Sequence, residues 1–303
     1  MKHTTRRTVG GALTSLTGLA ALLIVGMLAV ILVDVIRGGA GHLTWQFLSE
    51  PPSDGMMGGG IFPALYGTAA LTLLMTLAVM PVGVLTAVYL HEYAPPDSRL
   101  ARWLRVAIVN LAGVPSIVFG LFGLGFFIHF VGGRMDRALG YQELHWGQPG
   151  ILWASLTLAV LTLPVVIVAT EEALRAVPLD HRTASLALGA TQSQTLMRVV
   201  LPGALPGILT GAVLAVSRGA GEVAPILFTG AAYFLPDLPS ALNSQFMHLG
   251  YHTYVLATQS PDVEATRPLL YATVLVLLML TFALNLVAVV IRTRTRRKAA
   301  NAH

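Results

Sequence analysis

The chain has 303 residues, of which 55% are hydrophobic and 11% charged, with a net charge of +5 and no cysteine. A typical soluble domain carries about 25% charged residues, so this composition demands a membrane and argues against a soluble α-helical enzyme. Without cysteine, disulfides and thiolate metal sites are excluded.

Uncharged apolar runs occupy 8–33, 55–91, 106–133, 144–170, 199–217 and 268–291. Each comes close to or exceeds the ~20 residues that cross a ~30 Å hydrocarbon core. They predict an all-α integral membrane protein with a transmembrane domain over 10–292. Its spans are expected at about 10–33, 62–90, 104–131, 149–170, 204–229 and 269–291, with a loop over 171–202. The tails are then 1–9 and the basic 293–303. Lys2, Arg6 and Arg7 precede the first run as they would in a secretory leader, but its twenty-six residues exceed a typical leader core, so a retained helix is expected.

Pro81, Pro115 and Pro164 fall inside apolar runs, where each removes a backbone hydrogen bond and is expected to bend its helix. Such breaks persist in lipid only where protein or a water-filled path satisfies the freed groups. The stretch from Asn110 to Gly120 combines an amide, a proline, a hydroxyl at Ser116 and two glycines at membrane depth. Helix packing and pore lining both fit it.

Between the fourth and fifth runs stand Thr183-Ala184-Ser185, three spacers, Gly189, nine further residues, and then Val199-Val200-Leu201-Pro202. Small residues let a helix sit close to a partner, glycine permits a sharp turn, and proline is expected to end one helix and start the next. In the fifth run Gly203, Gly207, Gly211, Ala215 and Gly219 recur every fourth residue, a pattern for close helix approach. Gly211, Ala215, Arg218 and Glu222 are expected on one helical face, with Arg218 and Glu222 one turn apart. Arginine offers a fixed fork of donors suited to a tetrahedral oxyanion, and a nearby carboxylate can hold that fork between passages. A static ion pair locking two helices is the other reading of the same residues.

Cationic side chains orient the chain. Fourteen of the nineteen Lys and Arg lie in the tails and in the loops containing Arg102 and Arg182, four lie in the opposite loops, and Arg218 lies within a span. Both termini and the 171–202 loop are therefore expected in the cytoplasm. The positive charge matches anionic lipid, and nucleic-acid binding is not required. Lysine occurs only at Lys2 and Lys298, so no phosphate-binding-loop lysine exists. His248 and His252 have i,i+4 ligand spacing, which alone is weak evidence for a metal, and no metal site is expected. The 231–267 segment, with Pro236, Pro239 and Pro261, reads as an extracytoplasmic connection.

The Thr183–Pro202 pattern resembles the EAA loop of ABC importer permeases, with Thr183 standing where Glu is usual. Four further stretches resemble the phosphate-specific permeases: Gly59–Thr68, Tyr89–Ala94, Gly113–Gly120 and Glu171–Pro178. Ala215–Pro225 resembles their A-type subunit (PstA) in particular. The resemblance implies a six-helix type I permease in the bacterial inner membrane. Thr183, Ala184, Ser185, Leu186, Gly189, Leu201 and Pro202 would couple to an ATPase. It further implies a homologous C-type permease, two ATP-binding subunits that carry ATP and Mg, and a periplasmic phosphate-binding protein, with no cofactor bound by this chain. Arg218 would be the translocation residue for phosphate and Glu222 its partner, with Asn110 and Ser116 as candidates along the path. A permease for sulfate or molybdate, or a transporter or channel that does not use ATP, are the rival readings.

Overall fold

The computed structural model describes residues 2–53, 58–95 and 97–300. Met1 and residues 301–303, the ends of the two expected tails, lie outside the described residues. The chain is helical apart from loops and a two-residue strand pair, Pro52–Ser53 with Gly58–Gly59. The main helices are α1 (Lys2–Gly39), α2 (Phe62–Val88), α3 (Arg99–Ala112), α4 (Ser116–Leu139), α5 (Ile151–Arg175), α6 (Leu179–Ala187), α7 (Gln192–Gly219), α8 (Leu249–Thr258) and α9 (Val263–Ala300). Among the described residues six helices are long and apolar enough to cross a membrane: Leu13–His42, Phe62–Tyr93, Ser116–Leu139, Ile151–Arg175, Gln192–Gly219 and Val263–Thr295.

α2, α5 and α7 form the centre. Leu71, Met75 and Val79 of α2 meet Ala154, Leu158 and Val166 of α5 and Ala215 of α7 in one buried cluster. A second cluster, nearer the α5–α7 connection, joins Val88, Ala173, Leu174, Val200, Ala204 and Ile208. α1 stands apart, with leucines exposed around its whole circumference, and meets α9 where Gly38 and Gly39 lie against Tyr271. The Tyr271 hydroxyl donates to Asp34 Oδ2 at 3.0 Å, which satisfies an acid near the end of that span.

The glycine stripe of α7 is a packing face against α5. A Cβ on Gly207 would collide with the Cβ of Ala173, and one on Gly211 would come within 3.0 Å of the Cβ of Ala169. At Gly203 the nearest atom, Val177 Cγ2, would be 3.4 Å away, an ordinary contact. Most threonines inside the bundle are satisfied by their own helix, as lipid requires, although Thr170 Oγ1 of α5 is buried without a partner. The hydroxyls of Thr68, Thr72, Thr157 and Thr162 each donate to the carbonyl four residues earlier, at 2.7–2.8 Å.

Several boundaries differ from expectation. Pro81 and Pro164 sit inside uninterrupted helices, whereas the chain parts at Gly113-Val114-Pro115. Proline disfavours the helical region for the residue before it, and Gly113 caps α3, so the break falls there. The stretch expected as one span over 104–131 is thus two helices, α3 and α4, both lying along α5. Pro202 does not start a new helix. α7 begins at Gln192 and runs through a widened π turn, Leu196–Val200, just before the proline, so a missing N–H does not stop it.

Gly207→Leu should destabilise the purified protein by about 1–3 kcal/mol through overpacking, read as a lowered melting midpoint in detergent. Gly203→Ala should leave that midpoint near the wild-type value.

Candidate translocation and coupling site

Most of the functional residues predicted from sequence cluster towards the two ends of α7, while Asn110 and Ser116 lie at the break between α3 and α4. At the first end α6 follows α5 after a three-residue turn, and none of its side chains is buried. Its exit is a Schellman turn, in which Ala190 N–H donates to Ser185 O at 3.2 Å and Gly189 N–H to Leu186 O at 2.9 Å. Gly189 has φ +85°, a conformation that glycine adopts without a Cβ penalty. Thr191 then opens α7 with a capping box to Gln194. Leu188, at the tip, is 90% exposed, and Leu186 near it and Leu179 at the start of α6 are exposed too. Thr183 and Ala184 are exposed, while Leu201 packs against the second buried cluster and Pro202 lies on the α7 surface.

Thr183 brings no charge to this surface, and its hydroxyl donates to the backbone carbonyls of Leu179 and Asp180 within its own helix. Ser185 Oγ lies 2.9 Å from Thr195 Oγ1, across the turn. Sequence reasoning did not single out the strongest contact here. Arg182 Nη1 donates to Glu92 Oε1 at 2.6 Å and its Nη2 to Leu174 O at 2.7 Å. Gln192 Nε2 adds a bond to the Glu92 carbonyl at 2.9 Å. The available signal was Glu92 itself, an acid at the end of an apolar run. Glu171, at the end of α5, has its carboxylate 3.7 Å from Arg105.

At the far end of α7 Arg218 Nε lies 3.4 Å from Glu222 Oε1, with the two side chains 39% and 19% exposed. The shared helical face expected for Gly211, Ala215, Arg218 and Glu222 is not formed. α7 ends at Gly219, and Glu222 follows in a turn whose N–H donates to Gly219 O. The pair nonetheless forms, with Glu222 supplied by the turn that follows the helix. Gly211 and Ala215 are buried, whereas Arg218 is exposed. Gly219 lies where any Cβ would collide with Met75 Sδ.

Asn110, exposed near the end of α3, and Ser116, the first residue of α4, flank the Pro115 break. Gly120, one turn beyond Ser116, packs on Pro225, where a Cβ would come within 3.0 Å of the proline Cα. The break is thereby carried next to the turn that contains Glu222. Among the described residues no hydrogen bond or ion pair joins Asn110 or Ser116 to Arg218 or Glu222.

His248 and His252 are buried and serve the fold. Gly250 N–H donates to His248 Nδ1 at 3.1 Å, capping α8, while Leu249 N–H donates to Thr68 of α2 at 2.9 Å. Among the described residues no group of three or more His, Asp or Glu could hold a metal ion. Burial pushes His248 down to about 3 and His252 down to about 4.

Residues 79–297 match the family model described as the binding-protein-dependent transport system inner membrane component. The chain belongs to this family of ABC importer permeases. It is 37% identical to the probable ABC transporter permease protein YqgI of Bacillus subtilis, over 71% of this chain and 68% of that one. It is 35% identical to the phosphate transport system permease protein PstA 1 of Mycobacterium tuberculosis, over 79% of this chain and 72% of that one. Among solved structures, a bacterial alginate ABC transporter in complex with a pentasaccharide-bound periplasmic protein has a TM-score of 0.61 at 14% identity, covering 92% of this chain and 94% of that one. The MetNI methionine ABC transporter, in inward-facing conformations, has a TM-score of 0.57 at 18% identity, covering 77% and 94%. The fold is therefore that of a type I ABC importer permease. This permease is a non-catalytic, multi-pass membrane subunit; the ATPase is a separate chain, and such permeases work with ATPase subunits and a periplasmic binding protein.

The two histidines make one pH prediction. Their folded pKa values lie below the ordinary 6.5, so the unfolded chain binds more protons in acid. Stability from the α8 region is full above about pH 6.5 and is lost as pH falls toward 4. The melting midpoint should drop between pH 7 and pH 5, and His248→Asn combined with His252→Leu should flatten that slope.

Proposed function

We propose that this permease forms, with a homologous C-type permease, the membrane path of an ATP-driven importer of inorganic phosphate. The observation that carries the reading is the Arg218–Glu222 pair at the end of α7, partly exposed where a travelling anion could reach it. Relatives that bear the name of phosphate transport permeases support the choice of ion. Arginine stays charged at any working pH and presents a planar fork to an oxyanion, offsetting part of its dehydration cost. Glu222 holds the fork at rest and competes for it, so phosphate is passed on and not retained. Asn110 and Ser116, on either side of the break that precedes the third span, would line the same route.

The 183–202 loop would face the cytoplasm and seat the exposed edge of α6, with Leu186 and Leu188, in a groove of one of two ATPase subunits that bind ATP and Mg. Closure of those subunits would move α6 and rock the central helices between inward- and outward-open states. A periplasmic phosphate-binding protein would deliver the ion on the opposite face.

Arg218→Gln should cut phosphate uptake about 100-fold, as expected for loss of a charge-assisted contact of 2–5 kcal/mol, while the ATPase still co-purifies. Uptake at the wild-type rate would make Arg218 a structural residue. Excess sulfate or molybdate should leave labelled phosphate uptake unchanged, and strong competition by either would reassign the ion. Gly189→Leu should abolish ATPase co-purification, because a side chain at φ +85° strains the turn that presents the docking helix.

A further inference from the structure

α6 has no buried side chain, so hydrophobic burial does not hold it in place. Its position relative to the spans depends on polar contacts: Ser185 meets Thr195 at the start of α7, and the charged contact to α2 runs through one acid. Glu92, in the π turn Tyr89–Tyr93 that ends α2, accepts Arg182 Nη1 on its carboxylate and Gln192 Nε2 on its carbonyl. The second arm of Arg182 donates to Leu174 O, which at the end of α5 otherwise receives only long turn contacts such as Val177 N–H at 3.4 Å. The Arg182 and Glu92 side chains are only 17% and 10% exposed. One guanidinium thus ties the docking helix to the ends of two central helices, and the start of α7 is tied to the same acid.

We propose that Glu92 is a positioning residue that, through Arg182, joins α6 to α2 and α5 so that the three move as one body when an ATPase subunit displaces α6. The proposal rests on α6 being the helix that meets the ATPase. Arginine is required because a planar fork can bind a carboxylate and a carbonyl at once, which a lysine ammonium on a single stem does not reproduce. The contact to Gln192 uses the main chain of Glu92, so replacing the side chain breaks the α6 joint and leaves that tether in place.

The test uses the assembled permease–ATPase complex in lipid. The chain has no cysteine, so two introduced at Leu179 on α6 and Val82 on α2 can carry spin labels without background. In the otherwise wild-type chain their distance distribution should be narrow and should stay in place when ATP is added. Glu92→Gln should broaden it, Arg182→Gln should broaden it equally, and the double variant should be no broader than either single one, since both remove the same joint. Transport should follow: each variant should retain bound ATPase but import about fivefold less substrate per ATP, with the double variant again no worse than the singles. A wild-type distance that shifts by more than ~5 Å, a full helical turn, on ATP addition would overturn the proposal. Narrow distributions in the variants, or losses that multiply in the double variant, would also overturn it. Failure of the docking assignment itself would show separately, as an ATPase that still co-purifies with Gly189→Leu.

Discussion

The close approach of α7 to α5 is the constraint on which the rest of the structure depends. Gly207 and Gly211 let the α7 backbone settle onto Ala173 and Ala169, and Gly219 leaves room for Met75 at the far end. In lipid no hydrophobic force drives such pairing, so dispersion contact between small residues must supply it. Because α5 and α7 are joined through α6, seating α7 on α5 also determines where α6 emerges. α7 as a whole, Gln192–Gly219, has 28 residues, or ~42 Å at 1.5 Å per residue. About that length separates the exposed tip at Leu188 from the Arg218–Glu222 pair, one at each end of the same rod.

A rod alone does not couple its ends, and the polar contacts complete it. Ser217 donates to Asn285 on α9, and Arg292 of α9 reaches back to Thr210. Arg182 fastens α6 to α2 and α5. The hydroxyls of Thr68 and Thr72 on α2 and of Thr157 and Thr162 on α5 fold onto their own backbones, so these apolar spans carry hydroxyls with few free donors to lipid. The break at Gly113–Pro115 is the exception. Backbone groups are freed there just before the third span, whose Gly120 packs on Pro225, three residues beyond Glu222.

Features carried by local pattern were legible in the sequence. Apolar run length gives the six spans, the four-residue glycine period gives the α7 packing face, and Gly189 marks a turn that only a left-handed residue completes. Other features depended on contacts between distant residues. Glu92 and Arg182 are 90 positions apart, and no periodicity links them. The passage of α7 through Pro202 depends on a π turn that propensity does not foresee. Glu222 pairs with Arg218 from outside the helix because Gly219 ends it. Prolines alone did not predict breaks: Pro81 and Pro164 remain inside helices, whereas Pro115, two residues after a capping glycine, does not.

The proposed coupling role requires the 183–202 turn to lie in the cytoplasm and to be covered by an ATPase subunit. A single cysteine at Leu188, on the most exposed part of the turn, tests this directly in a chain with no other thiol. A membrane-impermeant maleimide should leave Leu188→Cys unmodified in right-side-out spheroplasts, label it in inverted vesicles stripped of ATPase, and lose that labelling when the ATPase is restored. Labelling from the outer face of sealed spheroplasts would contradict the topology and remove the coupling role with it.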